Sequence, residues 1–426
     1  MTHAARIAAP ALLPIFRYWV IGLVLLVAIS PTDIPASYRL YLFLVYGLLF
    51  FYPVVSRRHD NLSMARSIQY SPINLRSAVV LAAIQIAAVA IATQFYTGSS
   101  VFSAFSATLA GENTYAAYQS YFNEAQFSAQ SPVTRLVYIV LLALAKVIFV
   151  FSVLNFFLGL KRSFYSAAFM AGCCIFYIGF GLSRGTFFEV FEVACAIFYF
   201  WYMTSVIANE REVKRSKAVL YTALIGSVTL VALFFINVAR RYGDSFVIKS
   251  CTQNFCYEPF GLGDRLEHPI YLLTGYFGNG GYFISALFDT MFEHGEAAFL
   301  IPMQSVFNNL GSDEFGVRAF MCEKHVSCQF VWTPEIATLI STFGIFTILV
   351  SNMLVTYLGK LEASIIRNFS VVGMLLLYFA FIFVISLPSA NFFTTSGPSI
   401  LATLFLSALF VWQRLRPQIM EGLILQ

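Results

Sequence analysis

Long apolar runs recur from one end of the chain to the other, and they constrain its fold more than any other feature. Of the 426 residues, 59% are hydrophobic and 11% are charged, whereas soluble domains are about 45–50% apolar and about 25% charged. A run of about 20 apolar residues is long enough to cross a bilayer as a helix. The sequence therefore predicts an all-α polytopic membrane protein, and it excludes a soluble enzyme, a disordered chain and a nucleic-acid-binding protein.

About ten runs have transmembrane length, and counts from about 8 to 12 fit the sequence. They fall near residues 12–30, 36–55, 77–96, 134–158, 163–182, 186–207, 218–238, 335–358, 369–387 and 398–413. The chain then divides into transmembrane helices 1–7 within residues 1–238, one long connection at 239–334, and helices 8–10 within 335–426.

Basic residues are concentrated in one alternating set of connections, which predicts the orientation. Most of the 26 Lys and Arg residues lie in this set: Arg6, Arg17, Arg57, Arg58, Arg66, Arg76, Lys161, Arg162, Arg211, Lys214, Arg215, Lys217, Lys360, Arg367, Arg414 and Arg416. The connections near 31–35, 97–132 and 388–397 contain none. Because cytoplasmic loops carry the excess of Lys and Arg, we expect both termini in the cytoplasm and residues 239–334 on the outer side.

The outer connection at 239–334 is not plainly hydrophilic. Residues 270–309 are rich in aromatic, glycine and small apolar residues. This composition predicts interfacial or re-entrant helices over a membrane-facing cavity, since irregular backbone at membrane depth must be covered by protein or face water. An additional pair of spans is the alternative. Acidic residues outnumber basic ones in this connection, so a general polyanion-binding surface is not expected.

Four of the seven cysteines lie in the same connection as two close pairs, Cys251 with Cys256 and Cys322 with Cys328. Close pairs in an oxidising compartment favour disulfides that stabilise loops. A metal site is the alternative, but neither pair has the two-residue spacing of a typical metal ligand pair. We therefore expect two disulfides and no metal.

Several charged residues lie within or beside the apolar runs. Lys146 is in the middle of the fourth run, and Glu189 and Glu192 are on one face of the sixth. Ionisable groups at such depth usually face the protein interior and pair, so a structural ion pair and a proton or substrate path are both open. Arg184 joins two runs so tightly that it must lie at the outer membrane surface. Its guanidinium suits phosphate oxygens, and an interfacial anchor is the alternative.

In its ordered motifs the whole chain resembles the Wzy-type O-antigen and capsular polysaccharide polymerases. The resemblance is carried by Gly181-Leu182-Ser183-Arg184-Gly185, Arg240-Arg241-Tyr242-Gly243-Asp244, the aromatic and glycine-rich run 275–288, and Trp332-Thr333 before Phe343-Gly344. It implies a GT-C-like, metal-independent glycosyltransferase of the bacterial inner membrane that needs no cofactor. Such an enzyme joins undecaprenyl-pyrophosphate-linked oligosaccharide repeat units on the periplasmic face, in contact with membrane lipid and with a chain-length regulator protein as a possible partner.

The resemblance also implies roles for individual arginines. Arg184 and one or both of Arg240 and Arg241 would hold the pyrophosphate and stabilise the charge that develops as it leaves. Arg265 and Arg318 are further candidates for binding the pyrophosphate or the glycan.

A general base should accept the proton of the attacking hydroxyl, and the sequence leaves it open among His325, His268, Glu335 and other carboxylates of the connection. In the related O-antigen ligases, a His precedes the helix equivalent to 335–358, whereas Trp332-Thr333 occupies that place here. This difference favours a polymerase over a ligase. A transporter of lipid-linked sugars is the third alternative, although the chain lacks the two similar halves typical of transporters.

Overall fold

Helices make up most of the computed structural model, which describes residues 4–7, 11–33, 35–55, 66–69, 73–112, 114–123, 132–159, 164–205, 235, 251–252, 255–258, 260–293, 334–389, 393–394 and 396–424. The helices are α1 (Leu12–Ala28), α2 (Ala36–Val55), α3 (Leu75–Thr97), α4 (Val101–Leu109), α5 (Thr114–Asn123), α6 (Pro132–Leu158), α7 (Phe164–Ser183), α8 (Phe188–Ser205), α9 (Asp264–Glu293), α10 (Glu335–Phe343), α11 (Thr347–Arg367), α12 (Val371–Ser389) and α13 (Gly397–Ile424).

Six segments in the described part of the chain are long and apolar enough to cross a membrane. They are Leu75–Thr97, Val133–Leu158, Phe164–Ser183, Gly344–Arg367, Val371–Ser389 and Gly397–Leu415. Two shorter apolar helices, Leu12–Ala28 and Ala36–Phe51, coincide with the first two predicted spans. The chain is therefore a mostly helical, multi-pass membrane protein, as the sequence predicts. The count of ten stays a prediction, and the predicted span at 218–238 lies almost entirely outside the described residues.

The predicted eighth span, 335–358, differs from the structure at its start. Helix α10 ends at Phe343, and a short 3-10 turn, Gly344–Phe346, separates it from α11. Gly344 has a φ of 54°, a conformation that glycine adopts without the steric penalty that a side chain would bring. The apolar pattern runs unbroken through this position, so hydropathy alone gives one helix where the backbone forms two.

Two large apolar clusters form the core of the described bundle. The first joins α6, α7, α8 and α12 with the start of α13, and it buries Phe149, Tyr199 and Tyr378 completely. The second joins α1, α2, α9, α10 and α12. Helix α12 contributes to both clusters, which explains why every side chain from Phe381 to Ser389 except Phe383 is buried.

Part of the long connection at 239–334 is a single continuous helix, α9. It runs unbroken through four glycines and is fully buried from residue 280 to 289. Ser30, after α1, donates a hydrogen bond to the Thr274 hydroxyl at 2.9 Å. A Cβ at Gly280 would overlap the backbone oxygen of Ser389 in α12. Small residues thus allow α9 to approach its neighbours closely.

A carboxylate from late in the chain caps the start of α1. Ala11, the N-cap residue, has no side-chain acceptor. The backbone N–H groups of Ala11 and Leu12 instead donate to the buried Glu362 of α11, both at 3.0 Å, and the Tyr199 hydroxyl donates to the same carboxylate at 2.8 Å. Because the first N–H groups of a helix lack partners within the helix, Glu362 ties α1 to α11 and α8.

Short strands, which the sequence does not predict, link distant connections. The pair β1 (Ala4–Ile7) and β3 (Arg66–Gln69) is antiparallel. A three-stranded sheet has β5 (Phe255–Tyr257) between β2 (Thr32–Asp33) and β4 (Cys251–Thr252). The second sheet joins the α1–α2 connection to the start of the long connection, in agreement with their predicted location on one side.

Candidate functional site

The turn between α7 and α8 fixes the position of Arg184. The N–H groups of Arg184 and Thr186 both donate to the Gly181 oxygen, at 3.0 and 2.9 Å. Gly185 has a φ of 62°, and a Cβ there would lie 2.5 Å from the backbone nitrogen of Tyr115 in α5. The tight turn, covered by α5, therefore leaves room only for glycine after Arg184.

The guanidinium of Arg184 lies in a recess with aromatic walls. Only 16% of the Arg184 side chain is exposed. Its guanidinium carbon is 4.3 Å from the ring centroid of Phe180, 5.8 Å from that of Tyr118 and 6.0 Å from that of Tyr96. A cation at these distances is attracted by the electron-rich faces of aromatic rings. Helices α3, α5 and α7 together hold the charge at one place.

Glu189, in the first turn of α8, neutralises Arg184. One terminal nitrogen of the guanidinium donates to Glu189 Oε1, while the Thr186 hydroxyl donates to Oε2 at 3.0 Å. Burial raises the pKa of the nearby Tyr118, although the charge of Arg184 acts in the opposite direction. Tyr118 therefore stays neutral at neutral pH, and the ion pair is the charged part of the recess.

One turn further along α8, Glu192 forms a second buried ion pair. Lys146 Nζ lies 2.6 Å from Glu192 Oε1, with side chains 3% and 1% exposed. The Tyr177 hydroxyl donates to Glu192 Oε2 and Lys146 donates to the Ser399 hydroxyl, both at 2.5 Å. These contacts support the structural interpretation of the intramembrane charges, and they tie α6, α7, α8 and α13 together.

Glu335 is held by the turn before α13. Its buried carboxylate accepts hydrogen bonds from the N–H groups of Phe393 and Thr394, both at 2.8 Å, and from the Thr394 hydroxyl. Glu335 lies outside the six spanning segments, and burial raises its pKa while these hydrogen bonds lower it. The contacts give Glu335 a structural function, and its role as a general base stays a prediction.

The other predicted site residues are only partly described. Arg265 and His268 lie in the first two turns of α9. Outside the described residues lie Arg240, Arg241, Arg318 and His325. Within the described ranges, no group of three or more His, Cys, Asp or Glu side chains is arranged to hold a metal ion.

The first cysteine pair lies across a hairpin. Cys251 of β4 is directly opposite Cys256 of β5, and Thr252 is opposite Phe255. Directly opposite residues of antiparallel strands have Cα atoms about 4.5–5.5 Å apart, within the range of about 4.4–6.8 Å that a disulfide requires. The backbone register is therefore compatible with the predicted bond.

The second predicted disulfide, unlike the first, involves residues that the structure does not describe. Cys322 and Cys328 both lie in the 294–333 segment, outside the described residues. The bond between Cys322 and Cys328 therefore stays a prediction from their spacing and their expected location in an oxidising compartment. Cys173, Cys174 and Cys195, which the sequence places inside spans, are buried free thiols.

Sequence reasoning missed the aromatic wall that α5 supplies. The signal was present as Tyr115, Tyr118 and Tyr121, spaced by three residues in a connection without Lys or Arg. This spacing places side chains on one face of a helix.

Comparison with protein-family models, characterised proteins and solved structures finds no match for this chain.

Proposed function

We propose that this protein is a glycosyltransferase of the bacterial inner membrane that polymerises undecaprenyl-pyrophosphate-linked oligosaccharide repeat units on the periplasmic face. The observation that carries the proposal is the position of Arg184. This arginine is held in an aromatic recess at the end of α7, beside connections without Lys or Arg. The likeness of the ordered motifs to O-antigen polymerases supplies the reaction type.

The chemistry of Arg184 fits the leaving group of this reaction. A guanidinium presents paired donors that match two phosphate oxygens at once, whereas an ammonium is a point charge. In a site that excludes most water, such a donor stabilises the charge that develops on a departing pyrophosphate. Because the backbone turn and the rings already fix Arg184, little reorganisation is needed at the moment of reaction.

The remaining parts of the proposal concern residues that the recess does not include. Arg240 and Arg241 would join Arg184 in holding the pyrophosphate, and Arg265 and Arg318 would contact the glycan or the phosphates. A base from α9 or from the 294–333 segment would accept the proton of the attacking hydroxyl. We also propose a GT-C-like arrangement of ten spans with both termini in the cytoplasm.

Glycan profiles of strains that carry Arg184 variants test the phosphate role. Arg184→Ala should abolish long chains, because loss of one charge-assisted contact in such a site costs about 3–4 kcal/mol, or a few hundredfold in rate. Arg184→Lys should recover only part of the activity. Arg39→Ala is the matched control, since Arg39 is exposed near the same predicted surface. A folded Arg184→Ala protein that still makes long chains would contradict the proposal.

The same assay separates the alternative functions. A deletion strain that lacks a polymerase retains single repeat units on the lipid acceptor, one that lacks a ligase has none, and one that lacks a transporter accumulates precursor inside. Single-cysteine labelling tests the orientation. Ser120 should be accessible from the periplasm and Glu212 from the cytoplasm, and labelling of both from one side would contradict the topology.

A further inference from the structure

We propose that Glu189 competes with the substrate phosphate for Arg184. Glu189 binds Arg184 while the site is empty, and only a ligand with the charge of a pyrophosphate displaces it. This inference rests on the proposed function. It adds a selectivity for pyrophosphate over the singly charged phosphodiesters of the surrounding lipids.

Glu189 occupies part of the edge of the Arg184 guanidinium that a phosphate would use. One terminal nitrogen is bound to Glu189, while the buried Nε has no hydrogen-bond partner in the described part of the chain. These two nitrogens form one edge of the guanidinium, the edge that engages two oxygens side by side. The rings of Phe180 and Tyr118 lie near the guanidinium and restrict approach to it. A phosphate that uses this edge must take the terminal nitrogen from Glu189.

The charges of the site also prevent Glu189 and a phosphate from binding Arg184 at the same time. Arg184 and Glu189 together are neutral, and Glu189 is 4% exposed. An anion bound to Arg184 beside an ionised Glu189 would face a like charge at short range with little screening. Glu189 and the phosphate therefore exclude one another, and binding is an exchange.

Glu189 retains partners after the exchange. The Thr186 hydroxyl already donates to its second oxygen at 3.0 Å. Glu189 also lies in the first turn of α8, where the helix dipole favours a negative charge. The displaced carboxylate is thus not left in the protein interior without a donor, which makes the exchange reversible.

The exchange has a consequence for selectivity. An unpaired arginine at the depth of lipid headgroups would be occupied by phosphodiesters, which outnumber any biosynthetic intermediate. A singly charged phosphodiester offers Arg184 about the same charge as the carboxylate it would replace, so the exchange gives it little advantage. A pyrophosphate carries more charge and more acceptor oxygens, and it therefore displaces Glu189 more readily.

Binding measurements on the purified full-length protein in a neutral detergent test this inference. The probes are farnesyl pyrophosphate and dihexanoyl phosphatidylglycerol, a soluble phosphodiester lipid. Glu189→Gln should bind farnesyl pyrophosphate about tenfold more tightly, because a competing state no longer holds the site, and it should gain binding of the phosphodiester. Glu189→Asp keeps the charge with a shorter reach and should show a smaller gain. Glu112→Gln, which removes an exposed carboxylate beside α5, should match the native protein.

The outcomes separate the inference from the function on which it rests. Unchanged or weaker binding of both probes by folded Glu189→Gln and Glu189→Asp would overturn the exchange and leave Glu189 as a group that only positions Arg184. Unchanged binding of farnesyl pyrophosphate by Arg184→Ala would overturn the phosphate role itself. Loss of binding in Arg184→Ala together with a gain in Glu189→Gln supports both.

Discussion

Replacing Lys146 with methionine should destabilise the protein strongly, and a second substitution at its partner should restore much of the loss. In the native protein the Lys146 ammonium lies 2.6 Å from Glu192, and both side chains are almost completely buried. Lys146→Met keeps the apolar length of the side chain but leaves the Glu192 carboxylate with the Tyr177 hydroxyl as its donor at 2.5 Å. A buried charge without its counter-ion is the main cost.

The burial of the pair indicates the size of each effect. Breaking a buried pair by removing one partner costs about 3–5 kcal/mol, whereas replacing both partners with neutral groups is often close to neutral. In the double variant Lys146→Met/Glu192→Gln, the amide oxygen can still accept the hydrogen bond from Tyr177. Ser399 loses Lys146 but keeps its 2.8 Å contact with Ser396. The double variant should therefore recover at least about 2 kcal/mol relative to Lys146→Met.

Reversible unfolding in mixed micelles measures these variants, with folding followed by tryptophan fluorescence. The exposed pair Arg39–Asp33, at 4.0 Å with side chains 56% and 61% exposed, is the matched control, and its disruption should cost less than about 1 kcal/mol. A double variant at least as unstable as Lys146→Met alone would refute the counter-ion argument. Equal losses at the buried and the exposed pair would refute it as well.

Three further predictions concern packing, hydrogen bonding and oxidation. Gly280→Ala should destabilise the fold by more than about 1 kcal/mol, because the new methyl group would meet a backbone oxygen of α12. As a control in the same unfolding assay, Gly22→Ala should be neutral or stabilising, because its methyl group would meet nothing within 4 Å. Glu335→Ala should lower the melting temperature, since it leaves the partly buried donors of Phe393 and Thr394 without this acceptor, at a total cost of about 1–3 kcal/mol; an unchanged melting temperature with lost activity would instead favour catalysis. Mass spectrometry without reduction should find Cys251 bonded to Cys256 and Cys322 bonded to Cys328, each with about 2 kcal/mol of local stabilisation, and free thiols at these positions would contradict it.

The membrane class and several spans could be predicted from the sequence, because they depend on local composition. The predicted runs 77–96, 134–158, 163–182 and 369–387 lie within a few residues of α3, α6, α7 and α12. Uninterrupted apolar composition leaves a helix as the main way to satisfy the backbone in lipid. The position of Arg184 at a tight turn between two helices could also be predicted from the sequence, since its flanking apolar runs are only a few residues apart.

Contacts between distant residues could not be predicted in this way. Glycine lowers helix propensity, yet α9 continues through four glycines because close packing against α2 and α12 offsets that cost. The cover that α5 places over Arg184 depends on a contact between Tyr115 and Gly185, which are 70 positions apart in the numbering. Local patterns predict that such helices form, but the partner each one meets is decided by the packing of the whole bundle.

The bond between Glu362 and the start of α1 has a consequence for biogenesis. Glu362 follows Ala11 by 351 residues, so α1 leaves the ribosome long before its cap has been synthesised. Until α11 arrives, the N–H groups at the start of α1 depend on water and lipid headgroups. Helix α1 is therefore completed only when α11 arrives, and nascent chains that stop before residue 362 will hold α1 without its final partner, however apolar that helix is.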